Sequence, residues 1–143
     1  MLLKLIAAFA STLTFAILFN SPKKELLLCG LTGAFAWLFY ELVFEMTGSN
    51  TIPTLAGALA ATLLSRFFAF RRKNPITVYL ISGIIPLVPG SGIYYTVYNL
   101  IINESALAYT YGMDTIKMAG VISLGIMCVL SLPVKMFSWV AKK

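Results

Sequence analysis

ISGIIPLVPGSGIYYTVYN, residues Ile81–Asn99, is apolar at both ends and interrupted in the middle. Pro86 and Pro89 each lack an amide donor and obstruct a continuous helical ladder. Gly90 and Gly92 follow at once and admit backbone angles that other residues resist. In a soluble protein such punctuation marks an ordinary loop. Here it stands where a membrane helix would run, and in lipid an irregular backbone is tolerated only against protein or a watery cavity. The pattern predicts an internal site where two half-helices end, with the rest of the chain as its walls.

The surrounding composition supports a membrane setting. Of the 143 residues, 59% are hydrophobic and 11% charged, whereas a soluble domain carries about 25% charged residues. Apolar runs recur along the whole length. They predict an all-α integral membrane protein of one transmembrane domain, residues 1–143, with about five transmembrane helices. The spans read as 2–19, 26–44, 52–70, 76–102 broken at 86–92, and 115–140. The first run is followed by Asn20-Ser21-Pro22-Lys23-Lys24, not by a small-residue cleavage site. It therefore reads as a retained span and not as a signal peptide.

The net charge of +6 gathers at span ends, as Lys23-Lys24, Arg71-Arg72-Lys73 and Lys142-Lys143. That is the positive-inside pattern and a surface for anionic headgroups, not a nucleic-acid footprint. With these clusters inside, the N-terminus lies outside and the C-terminus is cytoplasmic, provided the fourth element crosses; a re-entrant fourth element would send Lys142-Lys143 outside. Lys4 opposes this orientation. Lys135 is expected to snorkel, Trp139 to sit in the interfacial belt, and Pro133 to kink the last span.

Small residues recur at helical spacing. Gly30 and Gly33 in the second span, and Gly57, Ala61 and Ser65 in the third, read as close-packing seams within the subunit or toward a partner. Asn20 reads either as a helix cap or as an amide presented to the central cavity. Arg66 is expected to snorkel to the headgroups. Asp114 reads as an N-cap or first-turn acid of the fifth span, with Lys117 in reach three residues on.

Histidine is absent, and Cys29 and Cys128 stand singly in apolar runs. No metal site and no cofactor is expected, and both thiols read as packed. A Ser-His-Asp set cannot be assembled, and a Walker lysine motif is absent. With a single aspartate, the chain also lacks the pair an intramembrane aspartyl protease needs. Carriage across the membrane is favoured over catalysis. Amides freed at the helix break can meet an anionic group. Tyr94, Tyr98 and Asn99 follow on the second half-helix, with Tyr95 and Asn99 on the neighbouring face. The candidate translocation residues are thus Asn20, Pro86, Pro89, Gly90, Gly92, Tyr94 and Asn99, suited to a small polar organic solute. Altering Pro89 or Gly90 is expected to stop its movement.

At Ile85-Pro86-Leu87-Val88-Pro89-Gly90, with Tyr94 shortly after, the chain resembles the threonine/serine exporter family. Phe19-Asn20 with Pro22, then Leu26, Cys29-Gly30, Gly33, Trp37 and Pro75, extend the likeness over nearly the whole chain. It is most similar to the small membrane subunit that corresponds to the family's C-terminal half. The resemblance implies a two-component secondary exporter in a bacterial cytoplasmic membrane, with a larger membrane subunit as partner. It implies proton-driven export of threonine and serine, or of a dicarboxylate such as succinate. Glu41, Glu104 and Asp114 are the candidate coupling residues, all expected near the outer ends. A channel component or a non-transporting membrane scaffold is the alternative.

Overall fold

A computed structural model describes residues 1–133. The expectations for Lys135, Trp139, Lys142 and Lys143 lie outside the described residues. Six α-helices make up the described chain: α1 Leu2–Leu18, α2 Leu26–Thr47, α3 Thr51–Arg72, α4 Thr77–Gly83, α5 Gly90–Ile101 and α6 Ser105–Leu130. Single 3₁₀ turns, Lys23–Glu25 and Ile85–Leu87, lead into α2 and follow α4. The molecule is an all-α, membrane-spanning bundle. Three of its stretches are long and apolar enough to cross a membrane, or four if the bent pair α4–α5 counts as one.

The helix ends follow from local chemistry. Asn20 takes a left-handed φ of 56°. Around it the Ser21 amide donates to the Ala16 carbonyl and the Asn20 amide to that of Ile17. This is a Schellman closure, in which asparagine is an accepted substitute for glycine. Asn103, φ 63°, closes α5 in the same way onto Asn99 and Leu100. The sequence-based start of the last span at 115 is ten residues late. Asn103 ends α5 and only Glu104 separates it from Ser105, so the stretch expected as an external loop is the first half of α6. Its polar residues and Gly112 resembled a loop; Gly112 in fact packs against Thr96 of α5. At the other end α6 stops at Leu130, before Pro133, so that proline does not kink it.

α2 lies at the centre, against α1, α3 and α4; α3 also meets α6, and α5 packs chiefly on α6. The buried core joins Ala36, Ala58, Ala61, Leu87 and Ile122. Leu87 wedges between α2 and α3 because Gly57 has no side chain: a Cβ there would lie 2.8 Å from Leu87 and 3.0 Å from the Ala36 carbonyl. The seam Gly57, Ala61 and Ser65 is thus consumed inside the chain. Gly30 and Gly33 likewise receive Phe9 and Thr12 of α1.

α6 runs parallel to α3. Gly125 lies beside Leu55 and Ala58 near the start of α3. Arg66, near its end, donates to the carbonyls of Val129, Leu130 and Leu132. Arg66 is therefore buried at the carboxyl end of α6 and does not snorkel. A guanidinium fork suits a helix end whose last carbonyls have no intrahelical donors.

Candidate functional site: the cavity at the helix break

α4 and its 3₁₀ turn meet α5 at 54°. Between them Val88 is extended, and the Gly90 amide bonds the Val88 carbonyl at 2.8 Å across Pro89. With φ −76° and ψ 63°, Pro89 sits at the centre of an inverse γ-turn. Pro89 then acts as N-cap of α5. The amides of Ser91 and Gly92 fall in the first helical turn, where the preceding chain offers no helical carbonyl to bond.

A cavity of about 390 Å³ opens at this corner, toward the turn that joins α2 to α3. Pro86, Pro89, Ser91 and Gly92 form one wall. Trp37 and Tyr40 of α2 form a second, their rings stacked at 4.9 Å. Asp114 and Thr115 of α6 form a third, beside Tyr111, which stacks on Tyr95 of α5 at 5.3 Å. Tyr40 donates from its hydroxyl to Asn50 Oδ1 at 3.3 Å. The indole N–H of Trp37 is buried with no acceptor among the described residues.

The predicted residues divide. Pro86, Pro89, Gly92 and Asp114 line this cavity together. Gly90 opens α5 beside it, with a φ outside the left-handed region and no atom within 4 Å of a Cβ built there. Neither Gly90 nor Gly92 uses the backbone freedom expected of it. Tyr94 points away: it is 62% exposed and stacks on Tyr98 at 6.1 Å. Tyr95 takes the place expected for Tyr94, because positions 91, 92 and 95 share one face once the helix starts at Gly90. Asn99 is 5% exposed and turned inward, its amide donating to the Tyr95 carbonyl at 2.7 Å. It is not among the residues lining the cavity.

Asn20 is also elsewhere, exposed on a separate pocket with Ser21, Thr77 and Ser82. Its helix-terminating role is the one the backbone shows.

Among the expected coupling carboxylates, Glu41 is buried and paired with Lys4. Glu104 is exposed in the turn before α6. Asp114 is not a cap. It lies nine residues beyond Ser105, about 14 Å along the helix, and pairs with Lys117 at 3.2 Å. Of the chain's 5 acidic residues, only Asp114 lines the cavity in the described structure.

A second polar cluster escaped the sequence reading. At the basic end, Glu25 is 6% exposed and Tyr79 fully buried. The Tyr79 hydroxyl donates to Glu25 Oε2 at 2.9 Å, and Arg72 Nε donates to the same oxygen at 3.2 Å. Asn74 donates to the Tyr79 oxygen at 3.1 Å. One carboxylate thus ties together the start of α2, the end of α3 and the start of α4. Cys29, also fully buried, donates from Sγ to the Val78 carbonyl at 3.3 Å. Glu25 follows Lys23-Lys24 and so resembles a solvated flank, and its partners lie 47 and 54 residues away.

Residues 4–132 match the family model described as Threonine/Serine exporter, ThrE. Neither a curated protein nor a solved structure matches the chain.

Proposed function

The chain belongs to the threonine/serine exporter family as a membrane component, and from that premise we propose that it is the small subunit of a two-component secondary exporter. Its solute is threonine, serine or a dicarboxylate such as succinate, passing through the cavity at the α4–α5 break. A larger membrane subunit completes the path. The family is one of transporters, not of enzymes.

The observation that carries this reading is the cavity itself. Two half-helices end at it, the first-turn amides of α5 border it, and aromatic rings and a carboxylate complete its walls. Amides at a helix start favour an anionic group such as a solute carboxylate. The volume of about 390 Å³ exceeds that of one small polar metabolite and leaves room for water.

The parallel course of α3 and α6 supports a crossing fourth element. A re-entrant α4–α5 would return the chain to the end of α3 and make α6 antiparallel to it. With α1 as a further span, since about 17 residues is the lower limit for crossing, the chain has five. The basic clusters Lys23-Lys24 and Arg71-Arg72-Lys73 then support an N-terminus outside and a C-terminus in the cytoplasm of a bacterial cell.

The test is export by the two-chain complex in proteoliposomes, with threonine, serine and succinate compared directly. Concentrative movement that ends when the proton gradient is collapsed is the expected result. Flux that merely follows the solute gradient would establish a channel, and no flux a scaffold.

A further inference from the structure

We propose that Asp114 is the counter-ion for the ammonium group of the transported solute, which displaces Lys117, the present partner of Asp114 at 3.2 Å. The inference rests on the exporter reading and assigns a recognition role within that site.

Asp114 sits on the cavity wall within a helix long enough to cross the membrane. Ionisable groups in such segments are costly and face protein or water-filled space. The charged groups of the other elements are engaged elsewhere or remote. Glu41 pairs with Lys4, Glu25 with Arg72, and Arg66 with the carbonyls at the end of α6. The neighbours of Asp114 across the cavity are instead the rings of Trp37, Tyr40 and Tyr95, with Tyr111 one turn back on its own helix. A carboxylate that shares one cavity with aromatic residues suits a cation.

Lys117 is the present partner of Asp114. Its bond to Asp114 spans one helical turn, and the two side chains are 62% and 57% exposed. Exposed ion pairs of this kind are weak, so a solute ammonium can replace the lysine without a large penalty. A solute without an ammonium group gains nothing from Asp114.

The roles of the two residues separate by substitution. In proteoliposomes holding the two-chain complex, counterflow of threonine is measured for Asp114→Asn, Asp114→Glu and Lys117→Gln. Asp114→Asn is expected to lose at least tenfold in threonine counterflow, with partial recovery in Asp114→Glu. Lys117→Gln is expected to lower KM for threonine several-fold, because the internal competitor is gone. If Asp114→Asn and Lys117→Gln impair threonine alike, the pair is structural and the proposal fails. Wild-type threonine movement matched by Asp114→Asn overturns it too. A wild-type complex that moves no solute overturns the exporter reading instead, which keeps the two failures apart. Assembly of each variant with the partner is followed by affinity co-purification, so that loss of folding is not read as loss of recognition.

Discussion

Gly92→Ala is expected to cut solute export at least tenfold, and Thr115→Ala in the same chain to restore most of it. A Cβ at position 92 would lie 2.3 Å from Thr115 Oγ1. That hydroxyl cannot swing freely, because it donates to the Tyr111 carbonyl at 2.7 Å. Accommodating the methyl group means separating α5 from α6 at the cavity, and overpacking of this kind costs about 1–3 kcal/mol. Removing the hydroxyl leaves the Thr115 Cβ at 3.5 Å, an ordinary contact. Gly90→Ala, which the sequence alone expects to stop export, serves as the control, since its Cβ meets open space. Initial export rates of the four chains decide the matter. Loss in Gly90→Ala with normal export in Gly92→Ala would sink the close-packing account.

The second large effect is at the basic end. Glu25→Ala removes the acceptor shared by Tyr79 and Arg72. Arg72 is about half exposed and can turn outward. Tyr79 cannot, and a buried hydroxyl without an acceptor costs about 1–3 kcal/mol. Thermal unfolding in detergent should show Glu25→Ala as strongly destabilised, Glu25→Gln less so, and Tyr79→Phe intermediate. In the double variant the two losses should not add, because they remove one contact from its two sides. Additive losses would mean that Glu25 and Tyr79 act independently.

The bend between Leu87 and Gly90 has a local cause that sequence can carry: a proline removes a donor from its own ladder whatever surrounds it. The seams on α2 and α3 were readable because their spacing is helical, although their burial within the chain was a tertiary fact. Four things were hidden. Gly90 and Gly92 look alike in sequence, and only the approach of Thr115 distinguishes them. Tyr94 and Tyr95 stand equally close to the break in sequence, and only the packing of α5 on α6 turns Tyr95 to the cavity. Asp114 resembled a cap because polar residues precede it, yet those residues continue the helix and carry the carboxylate onto the cavity wall. Glu25 stayed hidden for a further reason: a carboxylate after two lysines looks solvated until Tyr79, far along the chain, is folded over it.

The burial of Cys29 has a chemical consequence. Its thiol is sealed beneath Val78, a residue from the Glu25–Tyr79 clasp, whereas Cys128 is exposed. With Cys128→Ser in place, Cys29 is the chain's single thiol. A maleimide can then reach it only when α4 or α1 parts from α2. The labelling rate becomes a clock for that opening: slow in the resting complex, faster during solute turnover, and fastest in Glu25→Ala, where the clasp has been cut.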